Sequence, residues 1–295
     1  FHNVLCLSKA KGMDIIMNPQ NKISQSQKLM VFVLSMSLYG LATLFTELIP
    51  SFQVGIVEFS VEYFLFIPLT LAMLFDPLSA GLGAATGELV FSEIMLGQFG
   101  GLGELEKFLT VTIGVYVAGR LVKNPRNRAA VAGASIFGVF LQLFMGTVVD
   151  ILKVQFAVED FEAVAGLPES VFATEGFACL NDLLFSGILF CMLPTMFLVP
   201  KLYGKIEPLL GMKPRDEKTM TGSALSAKSI VLCLVGFAVA IVAQLLAKGG
   251  YALIDWEAAW AESTTAIIIA IVVAAVVALI VFGVIRSRAK NRQTA

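Results

Sequence analysis

The sequence predicts an all-α polytopic integral membrane protein with about eight transmembrane helices. Of its 295 residues, 57% are hydrophobic and only 15% are charged, whereas soluble domains are about half apolar and a quarter charged. The mean hydropathy is +0.84. Such a composition excludes a soluble enzyme, and a net charge of −1 leaves no basic surface for nucleic acid.

The apolar residues form runs long enough for helices that cross about 30 Å of hydrocarbon. The third run has the weakest helix propensity, because it contains Gly81, Gly83 and Gly87, although glycines are common where membrane helices approach closely. The eight predicted spans are residues 28–49, 58–75, 78–97, 105–122, 129–152, 176–200, 225–247 and 263–285.

These spans divide the chain into four regions. We expect a polar leader over 1–27, a six-helix membrane domain over 28–210, a basic linker over 211–224, and two further helices with a basic tail over 225–295.

The basic residues predict the orientation in the membrane. With the N-terminus inside, 18 of the 21 lysines and arginines are cytoplasmic, and only Lys107, Lys153 and Lys248 lie outside. This agrees with the positive-inside rule. The sequence therefore predicts a plasma-membrane protein with both termini in the cytoplasm.

The acidic residues gather on the opposite side, where 17 of 22 fall in the outer half. A carboxylate inside a span usually faces a cavity or a partner, so polar residues in the spans predict an outward-opening substrate pocket lined with phenylalanines. Glu62 shares a helical face with Glu58, four residues before it. The alternative is that these groups only hydrogen-bond helices together. The candidate substrate-binding residues are Glu62, Glu88, Gln142, Asp150, Asn181 and Asp182.

The charge of such a pocket favours a cationic or amine-bearing ligand, since several carboxylates in one cavity repel one another unless a cation is bound. The single histidine, His2, precedes every span, which argues against a histidine-bound metal or haem. We find no phosphate-binding loop, HExxH, CxxC or GxSxG motif. We therefore expect no catalytic residues and no cofactor, and any uphill transport must draw energy from partners or an ion gradient.

Small residues recur four apart on several spans, as in Gly83 and Gly87, or in the alanine row at residues 266, 270, 274 and 278. Such stripes are typical of close helix packing. On the last span, the row could instead dock another membrane subunit.

Residues 57–122 contain VEYFLFIPLTLAMLFDPLSAGLGAATGELVF, then GQFGGLGELEKFLT and VTIGVYVAGRLVKN. This sequence, together with the later stretch GILFCMLPTMFLVPKLYGKIEPLL, resembles the substrate-binding S-components of energy-coupling factor (ECF) type ABC transporters. The resemblance covers residues 28–210, and the last two spans are additional to it.

The resemblance implies a capture subunit for a small nutrient. Loops near 50–57, 98–106 and 153–175 would close over a ligand from outside, and the partners would be a transmembrane coupling subunit and two cytosolic ATPases. Two alternatives stay open. One is an ion-coupled carrier or channel using buried acids such as Glu88, and the other is a non-transporting scaffold subunit.

Overall fold

The protein is mostly helical, with a core of packed membrane helices and one small β-hairpin, in a computed structural model that describes residues 23–47, 49–61, 63–161, 163–164, 166–215 and 225–250. It is an all-α membrane protein apart from that hairpin. The predicted eighth span with its alanine row, the leader up to residue 22 and most of the linker lie outside the described residues.

The secondary-structure elements follow one another in this order: α1 Gln25–Glu47, β1 Phe52–Val54, β2 Val57–Phe59, α2 Phe66–Leu74, α3 Pro77–Glu88, a first π-helical segment Leu89–Ile94, a 3-10 turn Gly101–Gly103, α4 Glu104–Leu121, α5 Arg128–Gln155, α6 Val171–Asp182, a second π-helical segment Leu183–Met192, α7 Leu193–Leu202, a 3-10 turn Pro208–Leu210 and α8 Ala227–Lys248.

Four described helical segments are long and apolar enough to cross a bilayer: α1, α5, the continuous segment Val171–Leu202 and α8. Each contains an 18-residue window of high hydropathy with at most two charged residues. A helix suits such a window in hydrocarbon, because its backbone groups hydrogen-bond within the segment.

Close packing of α3 against α1 depends on glycine. A Cβ atom at Gly83 or Gly87 would overlap the carbonyl oxygens of Phe32 or Met36. The Ser35 hydroxyl also donates a 2.7 Å hydrogen bond to the carbonyl of Ala80. The glycine stripe of the third predicted span is therefore used inside the molecule, as small-residue stripes commonly are.

The helix that follows the linker, α8, packs on α4. The Tyr116 hydroxyl donates to Ser229 Oγ at 3.0 Å, and Cys233 and Phe237 pack against the buried side chains of Ile113 and Val117. The remaining large apolar residues of α8 are mostly exposed, as expected for a helix bordered by lipid on its other side.

The prediction of a helical span over 58–75 is wrong in its first half. Residues 57–59 form β2, which pairs with β1 through Phe52 opposite Phe59 and Gln53 opposite Glu58, and Gly55 provides the positive φ of the turn (+66°). Glu58 therefore cannot share a helical face with Glu62, which lies outside the described residues. An apolar run rich in aromatic and β-branched residues does not by itself distinguish strand from helix.

The chain between β2 and α2 is held by side chains of α6 and the second π-helical segment. Asn181 Nδ2 donates to the carbonyl of Glu58 at 2.9 Å, Ser186 Oγ donates to Ser60 at 3.4 Å, and Cys191 Sγ donates to Tyr63 at 3.5 Å. These three donors are spaced by five residues, and a π-helix brings residues five apart together. Backbone carbonyls that are not paired within the hairpin thus accept hydrogen bonds from these three side chains.

At the predicted cytoplasmic side, Arg215 ties the ends of α2 and α4 together. One guanidinium nitrogen, Nη1, donates to the carbonyl oxygens of Ala72, Met73 and Gly119, each at 3.0 Å. Tyr203 in turn donates its hydroxyl to the Arg215 carbonyl. Burial lowers the pKa of Arg215 to about 10, so the guanidinium stays charged at neutral pH. A positive charge is favourable beside the C-termini of helices.

Candidate functional site

A cavity of about 360 Å³ lies among α1, α3, α4, α5, α6 and α8, a size typical of small-molecule sites. Charged and hydrogen-bonding side chains dominate its wall. The lining residues are Thr43, Glu47, Tyr63, Glu88, Ser92, Glu93, Glu106, Lys107, Thr110, Val111, Gln142, Leu143, Gly146, Thr147, Asp150, Lys153, Glu175, Ala178, Cys179, Asp182 and Gln244.

The first π-helical segment places two acids on one wall. Glu88 ends α3 and Glu93 lies five residues on. In an α-helix, which turns by 100° per residue, residues five apart point about 140° away from each other. The i→i+5 bonding of a π-helix instead brings them to the same side, so both line the cavity with Ser92.

Glu88 and Glu47 each accept one hydrogen bond from a neighbouring helix. The Tyr39 hydroxyl, fully buried on α1, donates to Glu88 Oε2 at 3.4 Å. Ser92 Oγ donates to Glu47 Oε1 at 3.3 Å.

Three further acids come from three different helices: Glu106 of α4, Asp150 of α5 and Glu175 of α6. Among the neighbouring carboxylates, Asp150 repels Glu106 and Glu175 most strongly. Glu106 extends over α5, where its Oε1 would lie 3.9 Å from a Cβ atom on Gly146. The carboxylates of Glu106 and Glu175 make no hydrogen bond or ion pair with any described residue. They are therefore available to a ligand.

Both lysines in the wall are already paired. Lys107 contacts Glu93 at 2.8 Å, and Lys153 contacts Asp150 at 2.7 Å and Glu159 at 2.9 Å. Glu159 also reaches Lys248 of α8 at 3.4 Å, and its bond to Lys153 lowers the pKa of this loop carboxyl. The paired lysines leave the cavity with a net excess of negative charge.

Two amides complete the wall. Gln142 is buried, with 7% of its surface exposed, and its Oε1 has no hydrogen-bond partner in the described part of the chain. Gln244 of α8 is half-buried, and its Oε1 atom is likewise buried without a partner among the described residues. A buried acceptor without a donor costs about 1–3 kcal/mol and calls for a water or ligand donor.

Four of the predicted substrate-binding residues, Glu88, Gln142, Asp150 and Asp182, are brought together in this wall. Asn181 is not, because its amide is used by the Glu58 carbonyl. Glu62 lies outside the described residues. The expected phenylalanine lining is wrong for the described part of the wall, which contains Tyr63 as its aromatic residue. Phenylalanines such as Phe140 and Phe144 are instead exposed on α5.

Sequence reasoning missed several wall residues because they seemed to belong to span ends or loops. Glu106 lies in the first turn of α4 and Glu175 just after the first turn of α6, near helix ends where acids are commonly solvated. Gln244 was overlooked although it is a polar side chain in an otherwise apolar stretch of α8, a signal that usually marks an inward-facing position.

The described residues contain no group of three or more His, Cys, Asp or Glu side chains arranged to hold a metal ion. The acids are spread over the wall, an arrangement suited to an organic cation that spans the cavity.

One comparison with known proteins identifies a family. No curated protein and no solved structure matches the chain. A family model described as a family of unknown function (DUF8171) matches residues 30–294, which include every element described above from α1 to α8 apart from the first five residues of α1. The chain belongs to the DUF8171 family.

Proposed function

We propose that this protein captures a small, amine-bearing cation in the acidic cavity and mediates its uptake across the plasma membrane. The observation that carries the proposal is the excess of carboxylates in one cavity, where Glu106 and Glu175 make no hydrogen bond and no ion pair with the described residues. An ammonium group would offset this charge and donate hydrogen bonds to it. Outward opening of the cavity, with both termini cytoplasmic, belongs to the same proposal and is supported by the positive-inside pattern.

The energy for uptake is proposed to come from partners. The sequence carries no nucleotide-binding loop, and its resemblance to ECF S-components supports a role as the capture subunit beside a coupling subunit and two ATPases. Eight spans, the last two additional to the S-component-like six, are part of this proposal.

A second candidate, an ion-coupled carrier or channel, is favoured by the Tyr39–Glu88 contact. A carboxylate within a membrane helix next to a hydroxyl donor is a common element of proton or cation relays. In this case, transport would need no ATPase.

Purification in mild detergent from native membranes separates the two mechanisms. We expect mass spectrometry to find two related ATPases and a coupling membrane subunit in the same complex, and ATP to drive uptake in vesicles. A lone protein that accumulates cations in liposomes without ATP, driven by a proton gradient, would overturn the ECF role and support the carrier.

A variant that narrows the cavity tests whether the solute occupies it. Gly146 lines the cavity beside Glu106, so Gly146→Leu would project a side chain into it without removing charge. Gly133→Leu on the same helix is the matched control, since a Cβ there meets no atom within 4 Å. We expect uptake to fall with Gly146→Leu alone, and equal uptake by the two variants would contradict the proposal.

A further inference from the structure

We infer that the cavity selects a cation that carries N–H donors, such as a primary ammonium or a guanidinium, against a quaternary ammonium of equal charge, and that Gln142 and Gln244 contribute to this selection. The inference rests on the proposed function and names the ligand class for that site. The carboxylates attract any cation and already favour one that can donate hydrogen bonds to them, and the two amide oxygens add to this preference.

Two acceptors in the wall lack donors. Gln142 and Gln244 line the cavity from α5 and α8, and the Oε1 atom of each is buried without a hydrogen-bond partner in the described residues. A quaternary nitrogen has no hydrogen to donate, so it would leave both glutamine oxygens without a hydrogen bond. A site built to hydrogen-bond a donor strongly rejects an analogue that lacks it.

The composition of the wall also disfavours a quaternary ammonium. Quaternary ammonium groups are typically bound in cages of aromatic rings. The described wall has one aromatic side chain, Tyr63, among hydroxyl, amide and carboxyl groups. This is a hydrogen-bonding surface and not a cage.

Helix α8 contributes to the wall, although it lies outside the six-helix region that resembles an S-component. Gln244 is set close to the backbone at the start of α4, since a Cβ on Gly103 would lie 2.7 Å from its Oε1. Lys248, one turn later, contacts Glu159 at 3.4 Å. These contacts position α8 as a wall of the site, so this helix contributes to ligand selection.

The test compares two probes of equal charge, 1,4-diaminobutane and its hexamethyl bis-quaternary derivative, on the purified full chain in detergent. A ligand that binds the folded state raises Tm, and at a fixed concentration the increase is larger for the ligand with the lower Kd. We expect the unmethylated probe to bind at least about 10-fold more tightly, the loss expected when charge-assisted hydrogen bonds cannot form.

Gln142→Leu and Gln244→Leu should each reduce this preference, and the double variant should reduce it further, leaving only the part due to the carboxylates. An unchanged preference in the double variant would overturn the role of the two amides. Gln53→Leu, at an exposed position of β1, is the matched control and should keep the wild-type preference. Leucine suits the membrane interior, so we expect these variants to fold, and size-exclusion chromatography checks that they do. If a variant does not fold, the comparison of the two probes on wild type still decides whether the cavity prefers N–H donors.

The outcomes separate this inference from the function. Equal binding of both probes to wild type would overturn the selection by Gln142 and Gln244 and leave the cation site standing. Binding of neither probe, with no shift at any concentration, would overturn the cation site and the inference with it.

Discussion

Asn181 donates its side-chain amide to the main-chain carbonyl of Glu58 at 2.9 Å, 123 residues away in the chain. The bond joins α6 to the hairpin strand β2. It shows why a polar side chain in a membrane helix need not contact ligand, since its role here is to supply a donor to an exposed backbone carbonyl.

Loss of this donor should loosen the hairpin. We expect Asn181→Leu to reduce stability by about 1–2 kcal/mol, because the Glu58 carbonyl loses its partner. Unfolding in detergent measures the change, and Leu180→Ala, at an exposed neighbouring position, is the control. Equal stability of wild type and Asn181→Leu would show that the carbonyl finds another donor.

The α1–α3 contact should tolerate no side chain at Gly87. A Cβ there would overlap the carbonyl of Met36, so Gly87→Ala should cost about 1–3 kcal/mol through overpacking. Gly133→Ala, where nothing lies within 4 Å, should be neutral or stabilising by up to about 1 kcal/mol from helix propensity. Thermal unfolding of the two variants side by side tests this, and a reversed order would refute the packing described.

Arg215 should be needed for the stability of the cytoplasmic end. Arg215→Met removes the donor shared by three carbonyls at the ends of α2 and α4, which we expect to cost on the order of 2–4 kcal/mol. Lys213→Met, an exposed basic residue two positions earlier, should change stability little. A similar small effect for both variants in denaturant titrations would contradict the bridging role.

The ion pairs of Glu159 should open on acidification. Its pKa is lowered in the folded protein, mainly by the bond to Lys153. The stabilisation is therefore present above the ordinary carboxyl pKa of about 4.3 and is lost as the pH falls through the lower folded value. Because this pair is partly exposed, its loss should raise hydrogen exchange near residues 156–161 only about 2–5-fold.

Glu159→Gln provides the control for that pH dependence. It should exchange faster already at neutral pH and respond less to acid. If wild type and Glu159→Gln exchange equally at neutral pH, the two lysines do not hold this loop through Glu159.

The sequence predicted the long apolar helices well. The predicted spans 28–49, 129–152 and 225–247 lie close to α1, α5 and α8, because hydrophobic length is a direct requirement of the bilayer. The hairpin and the half-length α2 were not predictable in this way, since the run over residues 57–65 is as apolar as part of a membrane-spanning helix.

The site could be predicted only where a polar residue stood alone inside an apolar run, as for Glu88 and Gln142. Glu93 was not placed in the wall, because an α-helical projection turns it away from Glu88, and only the π-helical segment brings the two together. The bond from Asn181 to Glu58 was not predicted, because hydrophobic patterning does not show which backbone groups lack partners.

The most direct test of the account is the identity of the small molecule that stays bound through purification. Mass spectrometry of the molecules released on denaturation should find an amine-bearing cation with wild type and with the exposed-loop control Glu169→Gln. We expect it to be depleted at least about 10-fold in Glu106→Gln/Glu175→Gln, which removes both unpaired charges. Release of an anionic or uncharged molecule from wild type, or equal retention by all three proteins, would contradict the cation site.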